Sequence, residues 1–458
     1  MTSTLNTLRF IDLFAGMGGF RLGFEQACHA QGITPHCVFT SEIKPHAIKV
    51  YTDNFPNSPI QGDITQIAAD DIPDFEVMLA GFPCQAFSYA GKRQGFADTR
   101  GTLFFEIERI LAAKQPPAFI LENVEGLMVH DRTNKAEPIG RTLSIILDKL
   151  KQLSYHLSWQ VLDAKDFGLA QTRKRIFIVG TKTHALHLNF PAKRVTLEQI
   201  LETGKPCLDT QLTRLLLSHF KLEELQGKSV KDKRGGKENI HSWDLGLKGE
   251  VTEEQKELLN LILLYRRNKK WAISKGIAWM DGMPLTTAEI STFYQHPNLQ
   301  TMLDDLANKN YLKYEHPKDL VMITDKDIRK QIRQPRTDLA KGYNIVAGKL
   351  SYQINKILDP KTITPTLVAT DLDRLVVPDE EGLRKLSLVE QCRLFGFPDH
   401  FQLNLTDSLA HDLFGNTVPV ATVTAIAERL ILESFLGKEI VTPDEPQNQA
   451  HYQLQLIA

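Results

Sequence analysis

The chain opens on a run that leaves few options. Leu8-Arg9-Phe10-Ile11-Asp12-Leu13-Phe14 is apolar enough for a buried strand, Ala15-Gly16-Met17-Gly18-Gly19 is a tight glycine turn, and Phe20 to Gln31 carries apolar residues at helical spacing. Strand, glycine turn and helix in that order begin a doubly wound α/β sheet. The alternation continues. Further strands are expected at 36–40, 75–80, 118–121, 156–162 and 175–179, and helices at 44–54, 103–113 and 141–153. In the last of these, Leu143, Ile146, Leu147 and Leu150 fall on one face. Strands alternating with helices predict an α/β layer fold, Rossmann-like, with a second and smaller domain.

Regular alternation stops after about residue 184 and returns near 385, with helices expected at 386–395 and 419–436. The expected organisation is a first domain over 1–184 and a second over 185–385, its core at about 185–345. A segment over 386–436 follows, its last helix returning to the first domain, and then a polar tail over 437–458. The 458 residues are 42% hydrophobic and 24% charged, an ordinary soluble composition. With no signal pattern at Met1-Thr2-Ser3-Thr4 and no apolar run long enough for a bilayer, a cytoplasmic protein is expected. The five cysteines form no CxxC pair, so neither a zinc site nor a disulfide framework is expected. Cys28-His29 and His36-Cys37 read as buried thiols beside surface histidines rather than metal ligands.

The net charge is −1, yet its distribution is uneven. Residues 265–276 carry five basic residues and no acid, and Lys228, Lys231, Lys233, Arg234 and Lys237 face only Asp232 and Glu238 in the stretch before Trp243. For a nucleic-acid partner such a local concentration matters more than the total.

Chemistry-bearing residues sit at the strand ends. The turn Phe14-Ala15-Gly16-Met17-Gly18-Gly19 lets the backbone approach a ligand, but its spacing is not GxGxxG, since Arg21 and Leu22 follow. Glu42 ends the second strand, where a carboxylate can accept from both hydroxyls of a ribose. Asp63, in Gly62-Asp63-Ile64, stands where an acid can accept from an adenine amino group. Helix capping and turn formation are the structural alternatives for the two acids. Leu79-Ala80-Gly81-Phe82-Pro83-Cys84-Gln85 places a cysteine just beyond a buried strand; a thiol with a pKa of about 8.5 needs nearby positive charge to become a nucleophile. Glu122-Asn123-Val124 ends the next strand, so nucleophile and acid stand on neighbouring strands. Gln171-Thr172-Arg173-Lys174-Arg175-Ile176 supplies fork-shaped donors before another strand.

These blocks, followed by Gly415-Asn416-Thr417-Val418-Pro419, resemble in kind and order the DNA (cytosine-5) methyltransferases of bacterial restriction–modification systems. The resemblance covers residues 8–184 and about 385–436. It implies S-adenosylmethionine as methyl donor, lined by Phe14, Met17, Glu42, Asp63, Ile64, Leu103, Asn416 and Thr417; Gly16, Gly18, Gly19, Ile43 and Pro83 complete that expected wall. Ile43 is a departure, because some members place an aromatic ring against the adenine there. The resemblance further implies Cys84 as nucleophile, Glu122 at the cytosine ring nitrogen and Arg175 at the ring carbonyl, with Arg173 grouped among the catalytic residues.

A base inside a duplex must be flipped out to reach such a cysteine. Residues 85–101, with Gly91, Lys92, Arg93, Gly95 and Arg100, read as a lid closing over DNA, and Gln85, Ser88, Lys92 and Arg93 are its expected contacts. The family's order makes the basic middle region the target-recognition domain. Lys233-Arg234-Gly235-Gly236 and Asn239-Ile240-His241-Ser242-Trp243 are expected to form a reading loop, with Arg234 the leading base reader; Arg266, Arg267, Lys269 and Lys270 are expected on phosphates. The stretch resembles target domains for interrupted GG...CC sites. The expected partner is double-stranded DNA. The chain is expected to act as a monomer and without a membrane; a cognate restriction endonuclease, if the host carries one, need not bind it stably. A DNA-binding pseudoenzyme, a transfer-RNA methyltransferase and a nicotinamide or flavin oxidoreductase are the competing classes. Intact Cys84, Glu122 and Arg175, the long basic insert and the missing third glycine weigh against them in turn.

Overall fold

The computed structural model describes residues 6–83, 103–134, 136–232, 238–278, 282–325, 328–346 and 353–438, with backbone alone at 323–325 and 328–330. The chain divides into two compact units. One takes residues up to Thr203, Pro360–Asp373 and the chain from Leu386 onward; the other takes Gly204–Asp359 and Arg374–Lys385. The division thus falls beyond the change of pattern near residue 184, and the stretch 360–373 belongs with the first unit.

The first unit is built on seven strands: β1 (Thr7–Leu13), β2 (Thr34–Ser41), β3 (Ile60–Gln61), β4 (Val77–Gly81), β5 (Ala118–Val124), β6 (His156–Asp163) and β7 (Lys174–Thr181). Their order in the sheet is β3-β2-β1-β4-β5-β7-β6. The first five run parallel, and β7 lies antiparallel between β5 and β6. The helices α1 (Gly19–Ala30), α2 (Pro45–Asn54), α3 (Leu103–Lys114) and α4 (Arg141–Gln152) alternate with the strands. Of the regular elements, the two-residue β3 and the helix Asp407–Asn416 were not foreseen; the expected helix at 419–436 is Val420–Leu430 continued by a π turn, Ile431–Phe435.

Both faces of the sheet are covered, which is why its central strands are apolar without alternation. On one face Leu13, Met78, Ala80, Phe119 and Leu121 pack with Phe104, Ile107 and Leu111 of α3 and Leu143, Ile146 and Leu150 of α4. On the other, Phe10, Val77, Leu79, Ile120 and Phe177 pack with Phe24 and Ala27 of α1 and Val423, Ile426 and Ala427 of the helix Val420–Leu430. Each of the fully buried leucines, isoleucines, valines, phenylalanines and methionine among them contributes about 1.5–3 kcal/mol. Strand order reverses between β1 and β4, and in sheets of this type the ligand crevice opens outside the carboxyl ends of the strands at that point.

The second unit contains a five-stranded sheet in the order Gly382–Lys385, Leu375–Asp379, Lys356–Ile357, Ser229–Val230, Asn239–Ile240, packed on Leu216 and Leu225. A helical part, Glu253–Tyr265, Lys270–Ser274, Thr287–Ser291 and Leu299–Asn308, buries Leu258, Ile262, Leu303 and Leu306 around Trp243 and Tyr311. A separate two-stranded ribbon pairs Lys318–Asp325 with Ile328–Pro335. No helix among the described residues is long and apolar enough to cross a membrane.

Candidate active site

The end of β1 turns sharply. Phe14 has a φ of 56° and Gly16 also 56°, in the left-handed region that is strained for a side chain such as phenylalanine. A Cβ on Gly16 would meet nothing within 4 Å, so the turn is open on that side. A Cβ on Gly19, by contrast, would lie 2.8 Å from Thr417 Oγ1; glycine there admits the C-terminal block against the start of α1. Met17 is buried, so it supports the turn from inside.

Glu42 holds the next loop in shape. Its Oε2 accepts from the Gly16 amide at 2.7 Å, and its Oε1 accepts from the amides of Ile43 at 2.8 Å and Lys44 at 2.9 Å. The neighbouring Ile43 side chain is 67% exposed, an apolar surface beside a fixed carboxylate. The Lys44 ammonium reaches Asp412 Oδ2 at 2.8 Å, His46 Nε2 lies 2.9 Å from the same oxygen, and Asn416 Nδ2 donates to the Asp412 carbonyl at 2.7 Å. Burial pushes the Asp412 carboxyl up, but Lys44 and His46 outweigh it and hold it below the usual range. Asp412 therefore ties the Glu42 loop to Asn416. No local pattern marks it, since its partners Lys44 and His46 lie 368 and 366 residues away.

Asp63 caps a short turn, Ile64–Gln66, with Oδ1 accepting from Thr65 N at 3.0 Å and Thr65 Oγ1 at 2.9 Å; it is exposed, and its Oδ2 has no hydrogen bond among the described residues. Ile64 is buried, and its carbonyl accepts from Arg109 of α3 at 3.3 Å, which ties the turn to the helix that Leu103 begins. Leu103 and Pro83 are half-buried.

At the ends of β4 and β5 the residues converge. Glu122 pairs with Gly81 across β4 and with Phe177 across β7, and Arg175 pairs with Val124. Two residues apart on β7, Arg175 and Phe177 share a face, so Arg175 is the diagonal neighbour of Glu122. Arg175 Nε lies 2.9 Å from Glu122 Oε1. Because β7 runs antiparallel, its first residues stand at the carboxyl edge of the sheet. Burial raises the Glu122 carboxyl above the ordinary range, against the pull of Arg175 and Arg173. A Cβ on Gly81 would stand 3.6 Å from Glu122 Oε2, so the carboxyl faces the chain as it leaves β4. Asn123, buried beside it, donates from Nδ2 to the Phe82 carbonyl at 3.2 Å and accepts from Val124 N at 2.8 Å. Asn123 thereby fixes the exit towards Pro83, a role not foreseen although its block was noticed. Cys84, Gln85, Ser88, Lys92, Arg93 and the rest of the expected lid lie outside the described residues, as does Arg234.

Several expected sites are corrected. Arg173 is fully buried: it donates to the carbonyls of Leu367 at 3.0 Å, Gly415 at 2.9 Å and Thr417 at 2.8 Å, and stacks over Phe395. It fastens the Asn416-Thr417 block to the sheet and is a positioning residue rather than a catalytic one. The expected reading loop at 239–243 is interior: Trp243 is core, His241 stacks on it at 4.5 Å, and Ser242 hydrogen-bonds Asp232. Arg266 is only 5% exposed and donates from NH1 to Asn344 Oδ1 at 2.7 Å, so it is no phosphate contact. Arg267 is half-buried; Lys269 and Lys270 are exposed, the latter 4.1 Å over the Trp271 ring.

The first unit thus combines a doubly wound, Rossmann-like sheet with an acid-lined turn at the switch point and a buried carboxyl–guanidinium pair at the next strand ends. Residues 8–432 match the model of the C-5 cytosine-specific DNA methylases, and the chain belongs to that family; it is a DNA cytosine-5 methyltransferase. It is 55% identical over 430 residues to the type II methyltransferase M.NlaIV of Neisseria lactamica, covering 93% of this chain and 99% of that protein. It is 54% identical over 428 residues to M.NgoBV of Neisseria gonorrhoeae, with 93% and 99% covered. Among solved structures, a chain described as a DNA modification methyltransferase encoded within an Escherichia coli prophage superposes with a TM-score of 0.51 at 21% identity, over 94% of this chain and all of that one. That likeness concerns the fold.

Proposed function

We propose that the chain is the modification methyltransferase of a type II restriction–modification system, acting as a monomer on duplex DNA with S-adenosylmethionine as donor. The observation that carries the reading is the buried Glu122–Arg175 pair beside the exit of β4. Cytosine C5 is too weak a nucleophile to take a methyl group unaided. Cys84, next in sequence after Pro83, adds through its thiolate to C6 of the extruded base. Glu122, whose protonated form burial favours, donates to N3 and stabilises the electron-rich adduct, while Arg175 donates to the ring carbonyl and orients the ring. Bound S-adenosylmethionine supplies an electrophilic methyl group for C5. Transfer of the C5 proton to a base, with Cys84 leaving as thiolate and the N3 proton returning to Glu122, restores the ring and the enzyme.

The residues around the β1 turn fit that donor. Glu42, fixed by three amides, offers the remaining lone pair of Oε2 to a ribose hydroxyl; exposed Ile43 offers an apolar face to an adenine; Asp63 Oδ2, without a hydrogen bond among the described residues, can accept from an amino group; and the turn at Gly16 is open. The second unit is proposed to choose the target, an interrupted GG...CC site, with Lys269 and Lys270 on phosphates. A cognate endonuclease acting on the same site is part of the reading, without a stable complex.

The test combines two measurements. Labelled S-adenosylmethionine should transfer its methyl to duplex DNA, and an oligonucleotide with 5-fluorocytosine at the mapped target should form a stable adduct with the wild type but not with Cys84→Ala. Label appearing in transfer RNA and not in DNA, or an adduct formed equally by C84A, would sink the proposal.

A further inference from the structure

We propose that the ribbon pairing Lys318–Asp325 with Ile328–Pro335 is a DNA-contacting element of the second unit, with Arg333 and Gln331 as its contacts. The inference rests on the reading of the chain as a duplex-DNA methyltransferase. Lys318–Asp325 pairs antiparallel with Ile328–Pro335 over eight rungs, from Lys318 opposite Pro335 to Asp325 opposite Ile328. Among the described residues it pairs with no other strand. An isolated two-stranded ribbon is marginal in water, and about 26 Å of it needs something to lie against. Its described apolar side chains do not supply that, since Leu320, Val321 and Ile332 are only half-buried and Met322 is 59% exposed.

Charge identifies the occupant. The second strand, Ile328-Arg329-Lys330-Gln331-Ile332-Arg333-Gln334, holds three basic residues and no acid. The acid near the base is already engaged: Asp319 Oδ1 accepts from the Ala278 amide at 3.3 Å and its Oδ2 lies 3.6 Å from Arg336. Lys318 is likewise taken, 3.3 Å from Glu315. Arg333 and Gln331 are exposed, and Arg333 has no ion-pair partner among the described residues. Register places Leu320 opposite Arg333 and Met322 opposite Gln331, so these four side chains share one face. That face presents a guanidinium, a carboxamide and a thioether chain. A major groove admits a two-stranded ribbon, and arginine and glutamine are the side chains that read guanine and adenine edges there, while an apolar group suits a thymine methyl. An acidic protein surface would use the arginine but leave the carboxamide and the ribbon's shape without a purpose.

The test uses the full chain and a duplex carrying its mapped methylated site. Wild type, the double variant Gln331→Ala/Arg333→Ala and a control, Arg214→Ala, on the helix Gln211–His219, are compared for duplex affinity across a salt series. The double variant should bind roughly tenfold more weakly, with a salt slope lower by about one, and should methylate a broader set of sites. Arg214→Ala should match wild type. Binding of S-adenosylhomocysteine and thermal unfolding should be the same in all three; should the double variant unfold, Arg333→Gln alone carries the comparison. Wild-type affinity, slope and site pattern in the ribbon variants would overturn the ribbon assignment while the wild type still labels DNA. Failure of the wild type itself to label duplex DNA would instead remove the reading on which it rests.

Discussion

Arg175 reaches Glu122 at 2.9 Å as the diagonal neighbour across an antiparallel pair, and both are nearly out of solvent. The pairing is unequal. Burial raises the Glu122 carboxyl more than the two arginines lower it, so the acid holds its proton at a pH where a surface glutamate would not.

Activity that needs protonated Glu122 is therefore full below its pKa and falls as pH rises through it. The falling limb should lie above the ordinary glutamate range of about 4.3. Glu122→Gln should lower the single-turnover methylation rate roughly 10²- to 10⁴-fold, the scale of lost acid catalysis, with unchanged affinity for S-adenosylhomocysteine. A residual rate in E122Q with the same falling limb would assign that limb to another group.

The three amides on Glu42 make its isosteric replacement costly. A glutamine must turn an NH2 group towards N–H donors, so Glu42→Gln should weaken S-adenosylhomocysteine binding nearly as much as Glu42→Ala. Asp63→Ala should have a smaller effect, because that side chain braces only Thr65. In all three KM for the donor should rise while kcat at saturation changes little. Calorimetric titration decides, and an E42Q variant binding like wild type would remove the carboxylate from the site.

Much of this site was legible in the sequence because strand ends are marked by local pattern. The β1 turn, Glu42 and Glu122 each follow an apolar run, and the runs themselves show where the carboxyl edge lies. What was not legible depends on distant partners. Arg173 and Arg175 stand two residues apart in one basic block, yet Arg173 is spent on carbonyls 194 to 244 residues away while Arg175 faces Glu122. Nothing in the block separates them. In the second unit, the basic and aromatic residues that resembled a reading surface are partly interior. Trp243 and His241 stack in the core, and the charge of Arg266 is used across 78 residues. Charge in a sequence locates a surface only when no buried partner claims it.

Asp12 gives a stability prediction of opposite sign to the usual aspartate. It is buried near the end of β1, with Tyr51 of α2 donating at 3.3 Å, Arg21 and Glu25 of α1 and Glu42 nearby, and no partner on Oδ1 among the described residues. Burial raises its pKa well above normal, against the pull of Arg21 and Tyr51. The native state then holds a proton that the unfolded chain has released, so stability is lost as pH rises from about 3.9 through the folded pKa. Asp12→Asn cannot titrate. Its denaturant midpoint should fall less than that of wild type between pH 4 and the neutral range (roughly pH 4 to 8). Parallel curves for the two proteins would mean that Asp12 is ionised when folded.

Arg266 separates a structural cation from a DNA-binding one. Its guanidinium donates to Asn344, which in turn donates to the Gly282 carbonyl at 3.1 Å and to Glu315 Oε1 at 3.0 Å. Glu315 also pairs with Lys313 at 2.9 Å. Arg266→Ala removes a charged donor from a buried acceptor and leaves Asn344 Oδ1 without it. The cost should be about 1.5–3 kcal/mol in the unfolding of the second unit, read from a denaturant midpoint shift. It should leave the salt slope of DNA binding untouched in the protein that remains folded. Lys270→Ala should do the reverse. That side chain is exposed over Trp271, so stability should change by no more than about 0.5 kcal/mol, while a lost phosphate contact lowers the slope by about one. The pair of variants makes the distinction in one experiment. If R266A keeps wild-type stability and lowers the slope, the guanidinium leaves Asn344 to bind DNA, and its buried place does not describe the bound state.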